Sequence, residues 1–210
     1  MTRKFLLLCG IFSSLLYVAM NIFVPLFFQG YSSFSQTVSE LSAIGAPTRT
    51  LWVVPGTIYT LLVTVFGWGV WQSADKNRNL RIAGGLILAY GVVSLVWPFA
   101  PMHQRQDLAA GVETLTDTLH LVLAGVTVII MTVAIGFGGA AFGKKFRRYS
   151  IATILVLLVF GALTGSGAAG VKANQPTPWI GVWERINIGV FLLWIVVLAI
   201  IILRNQERPD

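Results

Sequence analysis

The chain has 210 residues, of which 56% are hydrophobic and only 11% are charged. Soluble domains carry about 25% charged residues, so this composition excludes a soluble enzyme and a secreted disulfide scaffold. The mean hydropathy of +0.78 agrees with that exclusion. Cys9 is the only cysteine and cannot form a disulfide within the chain, which leaves the redox compartment unspecified. These features predict a membrane protein whose fold depends on packing.

The apolar residues form six runs of about 20 residues, the length that crosses a hydrocarbon core about 30 Å thick. The predicted spans are Phe5–Phe28, Leu51–Trp71, Ile82–Ala100, Leu115–Phe142, Ser150–Gly170 and Val182–Leu203. Neither a linker nor an internal repeat divides the sequence. We therefore expect one all-α domain over residues 1–210, a polytopic bundle of six transmembrane helices.

The first run follows two basic residues, as the core of a secretory signal does. It extends from Phe5 to Phe28, however, whereas a cleavable signal core has about 7–15 apolar residues. The sequence therefore predicts an uncleaved first helix.

The net charge is +7, and its distribution along the chain predicts an orientation. Only Arg49, Arg105, Lys172 and Arg185 belong to the loops and span ends after the first, third and fifth spans. The other eleven basic residues lie at the opposite ends of the spans: Arg3, Lys4, Lys76, Arg78, Arg81, Lys144, Lys145, Arg147, Arg148, Arg204 and Arg208. Because cytoplasmic loops carry the excess of Lys and Arg, we expect a cell (plasma) membrane protein with both termini in the cytoplasm. The basic stretch 143–148 is too short for a nucleic-acid surface, so no nucleic-acid partner is expected.

The segment between the first two spans contains signals for a short outer helix. Thr37 and Glu40 have the spacing of a capping box, and Gly45 followed by Pro47 is typical of a helix end. The pattern predicts a helix from about Val38 to Ile44. Glu40 either caps this helix only or also contributes to a ligand pocket.

Four polar segments carry a resemblance to a known family. They are residues 31–49, Pro101–His103, Asp117–His120 and Glu184–Ile186, which follow the first and third spans and open the fourth and sixth. They resemble the domain of unknown function 998 family. The resemblance covers nearly the whole chain and implies a small six-span membrane protein of bacteria or archaea with a polar outer side. It brings no established reaction.

The start of the fourth span holds the densest group of ionisable residues. Glu113, Asp117 and His120 are spaced i, i+4 and i+7, so they share one face if the helix extends back to Glu113. An ionisable residue at membrane depth needs a partner, and Asp117 is the expected partner of His120. The alternative is that Thr114 caps the helix, Asp117 complements its dipole and His120 bonds a neighbouring helix.

Two kinds of catalytic site can be drawn from these residues. A zinc site would use His103 and His120 with carboxylates from separate spans: Asp117, Glu113, Glu40 or Glu184. The sequence contains no compact metal-binding motif. Ser39, His120 and Asp117 could instead act as nucleophile, base and orienting acid, although no Gly-x-Ser-x-Gly signature supports that assignment.

The start of the sixth span adds further polar groups. Glu184 and Asn187 would share a face and could extend the pocket, while Arg185 either reaches the interface or joins them. Arg49 and Arg105 could then bind an anionic head group, for which guanidinium groups supply paired donors.

Together these residues predict an outward-facing polar pocket that binds a lipid head group or a small polar ligand. The alternative is a metal-assisted intramembrane lipid hydrolase, with zinc at His120, Asp117 and His103. A channel or a proton-driven transporter is disfavoured because no filter loop or midplane carboxylate is evident. The predicted pocket residues are His120, Asp117, Glu40, Glu184, His103, Arg185, Ser39 and Glu113.

The expected partners are membrane lipids and a second copy of the chain. Gly161, Gly165 and Ala169 recur every four residues in the fifth span. Such a stripe lets another helix approach closely, so it predicts either packing within the bundle or a homodimer.

Overall fold

The computed structural model describes residues 2–206 and is built from helices. The segments long and apolar enough to cross a membrane are Arg3–Phe27, Arg49–Gln72, Arg78–Phe99, Leu115–Ala140, Lys144–Lys172 and Ile180–Gln206. They confirm the six predicted spans and the all-α class. Residues 2–206 contain no β-strand, only an isolated parallel bridge between Ile44 and His103. Arg208, counted above among the basic residues, lies outside the described range.

The chain forms eight α-helices and three 3-10 helices within the described range. The α-helices are α1 (Arg3–Phe23), α2 (Arg49–Gln72), α3 (Arg78–Ser94), α4 (Arg105–Ala109), α5 (Leu115–Ala140), α6 (Lys144–Ser166), α7 (Ala168–Lys172) and α8 (Ile180–Gln206). The 3-10 helices are Val24–Phe27, Val38–Ser42 and Trp97–Phe99. Helix α6 begins six residues before the predicted span because its first turns contain the basic residues Lys144 to Arg148, which precede the apolar run.

The predicted outer helix is present but shorter and tighter than expected. It is the 3-10 helix Val38–Ser42, and its capping box is confirmed. The helix ends before Ile44 because the Ile44 N–H donates to the Met102 carbonyl oxygen at 2.8 Å. Gly45 has a φ of +80°, which the absence of a side chain allows.

The two ends of the bundle differ in what they hold. At one end, called the terminal end, Gln206 donates to Ser73, and Arg3 lies 3.9 Å from Asp75. This end carries the first and last described residues. The opposite end, called the site end, is formed by the loops over residues 28–48, 95–114 and 167–179.

Helix α8 is the most buried of the six described spans and packs mainly against α1 and α6. Between Ile188 and Leu203 its side chains are apolar around the whole circumference, as expected for a helix covered on several sides. Trp194 is fully buried, and its indole N–H donates to the Ser150 hydroxyl at 3.0 Å. This bond satisfies the indole's only polar atom inside the core.

Helices α2 and α3 approach each other closely, and this approach depends on glycines in both helices. A Cβ on Gly84 would overlap the Trp71 backbone, and one on Gly67 would overlap the Leu88 backbone. Gly91 meets Thr64 in the same way. Small residues at these positions let the two backbones pack directly together.

The small-residue stripe predicted in the fifth span is only partly used inside the bundle. Gly161 packs against the Asn187 side chain of α8, while Gly165 meets no atom that a Cβ would reach. Helix α6 ends at Ser166, so exposed Ala169 belongs to α7. A homodimer through this stripe stays a prediction.

We expect Gly84→Ala to lower the free energy of unfolding by about 1–3 kcal/mol, the usual cost of forcing a methyl group into a filled contact. The matched control is Gly85→Ala, because a Cβ on Gly85 meets no atom within 4 Å. That control should be neutral or stabilising by up to about 1 kcal/mol, since alanine favours helix. Denaturation in detergent measures both variants. Equal destabilisation by the two would contradict the close approach of α2 and α3.

Candidate functional site

The centre of the site end is a buried ion pair between Glu40 and Arg105. Arg105 Nε donates to Glu40 Oε1 at 2.7 Å, and Nη2 donates to Oε2 at 2.8 Å. Glu40 is fully buried and Arg105 is 9% exposed. Two parallel charge-assisted bonds fix both the distance and the plane of the pair.

Glu40 also holds the start of the short 3-10 helix. Its carboxylate accepts from the Thr37 N–H at 2.7 Å and from the Thr37 hydroxyl at 3.0 Å. The Gln36 amide donates to it at 3.1 Å. Glu40 therefore caps the helix, as the spacing predicts, and in addition neutralises a guanidinium 65 residues further along the chain.

Arg105 connects the remaining loop to this centre. Its Nη1 donates to the Thr177 hydroxyl and its Nη2 to the Ser35 carbonyl oxygen, both at 3.3 Å. The Thr177 hydroxyl itself donates to the same carbonyl at 2.9 Å. All three loops of the site end thus meet at one guanidinium. Arg105 is already paired with Glu40, so head-group binding by Arg105 stays a prediction that would require it to exchange this partner.

Asp117 pairs with His103, and the expected pairing with His120 is wrong. Asp117 Oδ1 accepts from the His103 N–H at 2.7 Å, and Oδ2 lies 2.8 Å from His103 Nδ1. The Thr114 N–H also donates to Asp117, at 2.9 Å, within a capping box at the start of α5. The capping alternative is therefore confirmed for Thr114 and Asp117. The chain returning from the third span places His103 over the first turn of α5, where the carboxylate is already oriented.

His120 is buried and makes two hydrogen bonds to other segments. Its Nδ1 lies 2.8 Å from the Ala100 carbonyl oxygen, and its Nε2 lies 2.9 Å from the Ser39 hydroxyl. A carbonyl oxygen only accepts, so Nδ1 carries the hydrogen, and in a neutral imidazole Nε2 then accepts. The Ser39 hydroxyl therefore donates to Nε2. Trp97 packs edge-on against the ring with centroids 4.8 Å apart.

Glu113 does not join this group. Helix α5 begins at Leu115 with Thr114 as its N-cap, so Glu113 precedes the helix and cannot share its face. Its exposed carboxylate pairs with Lys172. The prediction that Glu113 shares a helix face with Asp117 and His120 is therefore wrong, because the capping box starts the helix after Glu113.

Two adjacent residues of α8 bind the first loop. Glu184 accepts a hydrogen bond from the Val38 N–H. The Arg185 guanidinium donates to the Ser33 carbonyl oxygen at 2.9 Å and to the Tyr31 hydroxyl at 2.8 Å. Asn187 lies deeper, where it donates to the Leu157 carbonyl oxygen of α6. Asn187 is therefore bonded inside the bundle while Glu184 is bonded to the first loop, and a joint contribution to a pocket stays a prediction.

The Tyr31 phenol stays protonated although the Arg185 guanidinium is bonded to it. Burial raises the pKa of the Tyr31 phenol, and this effect outweighs the opposing influence of the Arg185 charge. Its hydroxyl donates to the Thr37 carbonyl oxygen at 2.7 Å while accepting from Arg185. The phenol thus links Arg185 to the capped loop.

The residues predicted to bind zinc do not all lie together in the described part of the chain. Within residues 2–206, no three His, Cys, Asp or Glu side chains stand together as metal ligands. His103 and Asp117 contact each other, whereas both ring nitrogens of His120 are bonded elsewhere. Zinc at these residues stays a prediction that would require His120 to exchange its partners.

The sequence identifies most residues of the site end but misses several of their partners. Gln36, Thr177, Tyr31 and the Ala100 carbonyl were not predicted as contributors. A polar residue beside a capping box is the available signal for Gln36. The others act through contacts between distant segments, which leave no pattern in the sequence.

Comparisons with known proteins give a family without an activity. The family described as "Protein of unknown function (DUF998)" matches residues 11–201 of the chain. Comparison with curated proteins and with solved structures finds no match.

We expect Glu40→Ala to destabilise the protein by about 3–5 kcal/mol, because it leaves the buried Arg105 charge without a partner. Glu113→Ala is the matched control, since it breaks an ion pair whose side chains are 58% and 42% exposed. Exposed pairs contribute about 0–1 kcal/mol. Unfolding in detergent measures both changes. In the double variant Glu40→Leu/Arg105→Met most of the loss should be recovered, and a loss no smaller than that of Glu40→Ala would count against the pair.

Proposed function

The chain belongs to the DUF998 family of proteins of unknown function, and from that premise we propose that it binds an anionic membrane lipid at its site end. The spans place it in a membrane, so lipid is the ligand present at the highest concentration. The observation that carries the proposal is the Arg185 guanidinium, which lacks a carboxylate partner and borders an apolar groove.

The Arg185 charge is hydrogen-bonded but not neutralised. Its partners are backbone carbonyl oxygens, including that of Gly181 at 3.0 Å, and the Tyr31 hydroxyl. None of the carboxylates in the described residues lies within ion-pair distance of it. The neighbouring Glu184 bonds the Val38 amide instead. A cation at the membrane boundary is stabilised by an anionic oxygen, and guanidinium is well suited to phosphate.

A groove of about 310 Å³ opens beside this charge. It is lined by Ser33, Phe34, Val182, Ile186 and Arg185 itself. The lining is almost entirely apolar, Arg185 included, because the guanidinium nitrogens are bonded to the loop, and Phe34 is 63% exposed. This volume is at the lower end of small-molecule sites. An apolar groove of this size fits part of a lipid's acyl chain better than it fits a small polar ligand. The head group of that lipid would then lie near Arg185.

We also propose that the protein lies in the cell membrane with its site end outside and both termini in the cytoplasm. The support is the charge distribution, because eleven of the fifteen basic residues belong to the terminal end or its flanking tails. Lipids of the outer leaflet would then be the ones that reach the groove.

Replacing Arg185 by glutamine should lower the retention of phosphatidylglycerol about tenfold or more. The loss of a charge-assisted hydrogen bond costs about 1.5–3 kcal/mol, and zwitterionic phosphatidylcholine should be affected less. Native mass spectrometry of the delipidated protein, titrated with each lipid in detergent, measures the difference. Lys172→Gln is the matched control, because it removes a positive charge from the same end outside the groove.

A second variant separates lipid binding from the bonds that Arg185 makes to the loop. Val182→Trp fills the groove but leaves the guanidinium in place, so it should also lower retention of the lipid while leaving thermal unfolding nearly unchanged. Unaltered phosphatidylglycerol retention in both Arg185→Gln and Val182→Trp would refute the proposed site.

Cysteine labelling tests the proposed orientation. In a Cys9→Ser background, Glu113→Cys marks an exposed position at the site end and Lys76→Cys marks one at the terminal end. A membrane-impermeant maleimide should label the Glu113→Cys protein in intact cells and the Lys76→Cys protein only after the membrane is opened. The reverse pattern would invert the orientation.

A further inference from the structure

A serine hydroxyl and an imidazole stand together beside the central ion pair. Ser39 Oγ lies 2.9 Å from His120 Nε2, within the range needed for proton transfer. The Ala100 carbonyl oxygen fixes the other nitrogen at 2.8 Å and so selects the tautomer that accepts from Ser39. This is the relation between a nucleophile, its base and a group that orients the base.

The protein holds Ser39 rigidly from both sides. The Val38 N–H is bonded to Glu184, and the Glu40 carboxylate is bonded to Arg105. Ser39 lies between them in the short 3-10 helix and remains half-buried, whereas His120 is only 8% exposed. Fixed placement of a nucleophile lowers the entropic cost of reaction, and Ser39 is less buried than the base that it contacts.

We propose that Ser39 and His120 form a catalytic pair that hydrolyses a carboxylic ester at the site end. The proposal goes beyond lipid binding at Arg185 and does not rest on it. If the bond between the short 3-10 helix and α5 were purely structural, any hydrogen-bond donor and acceptor could form it. Here the donor is a nucleophile and the acceptor is a base in the required tautomer.

In the first half of the reaction, Ser39 Oγ attacks the ester carbonyl carbon while its proton passes to His120 Nε2. The bond from that carbon to the alcohol oxygen breaks, and His120 gives the proton to the leaving alcohol. In the second half, water attacks the acyl-Ser39 ester and gives its proton to His120. The bond to Ser39 Oγ breaks, Ser39 regains the proton and a carboxylic acid leaves. Ester and water thus become acid and alcohol, with no oxidant or metal required.

In this scheme Asp117 acts on His120 through its charge, and not through the direct contact that its spacing suggested. It precedes His120 by three residues on α5, so its negative charge favours the imidazolium that forms during attack. The orienting contact to Nδ1 comes from Ala100 instead.

A fluorophosphonate probe tests the pair directly in the full-length protein in detergent. Attack by Ser39 on phosphorus expels fluoride and leaves a stable adduct, which peptide mass spectrometry locates. We expect labelling at Ser39, none in Ser39→Ala, and a rate lowered about 10²-fold or more in His120→Gln. Ser42→Ala is the matched control, because Ser42 lies on the same 3-10 helix and should leave labelling unchanged. The wild-type rate should rise with pH through one ionisation that His120→Gln lacks.

Two substrates distinguish the source of the ester. Hydrolysis of p-nitrophenyl butyrate alone would indicate a soluble ester, and release of fatty acid from phosphatidylglycerol vesicles would indicate a lipid. Thermal unfolding of each variant shows whether it is folded. Failure of folded wild-type protein to label, labelling that survives His120→Gln, or cleavage of neither ester would overturn the proposal. Activity that is lost with a chelator and restored by zinc would overturn it in favour of a metal hydrolase.

Discussion

The ion pair between Glu40 and Arg105 is the constraint on which the site end depends. Six apolar spans can pack with many arrangements of their loops, because apolar contacts are not directional. A buried carboxylate, in contrast, is tolerated only where a guanidinium meets it with good geometry, and the two bonds of 2.7 and 2.8 Å supply that geometry. Since Arg105 also reaches Ser35 and Thr177, this one requirement brings the loops after three spans together. It also fixes Ser39, which directly precedes Glu40 in the short 3-10 helix.

Local patterns in this sequence predict local structure correctly. They do not predict which distant segments contact each other. The capping boxes of Thr37 with Glu40 and of Thr114 with Asp117 lie within one turn, so their spacing contains the whole interaction. The partner of Asp117 is a different case. His120 is close to it in sequence and on the same helix, but His103 reaches it from another segment. Only the path of the chain after the third span decides between the two histidines, and that path is set by packing.

The same limit applies to the small-residue contacts. Gly161, Gly165 and Ala169 show the regular spacing that indicates close helix packing, whereas Gly67, Gly84 and Gly91 show no comparable run within one helix. The second group nevertheless makes the tighter contact, because each glycine meets backbone of the facing helix. A close approach needs a small residue on one helix opposite backbone on the other, and a spacing within one helix describes only half of that condition.

The polar groups at the site end are of two kinds: buried ion pairs that stabilise the fold, and groups without a neutralising ion-pair partner that could take part in binding or reaction. Charges that are buried and paired, such as Glu40 with Arg105, are costly to separate and therefore hold the fold. Arg185 keeps its charge because its partners are neutral, so an anion can still gain from binding it. The hydrogen bonds of Ser39 and His120 are those of a neutral pair, so the burial of His120 beside Trp97 avoids the desolvation cost of an ion. In the proposed ester hydrolysis such a pair acquires charge only during the reaction, and the hydrogen bonds of Val38 and Glu40 hold Ser39 in place.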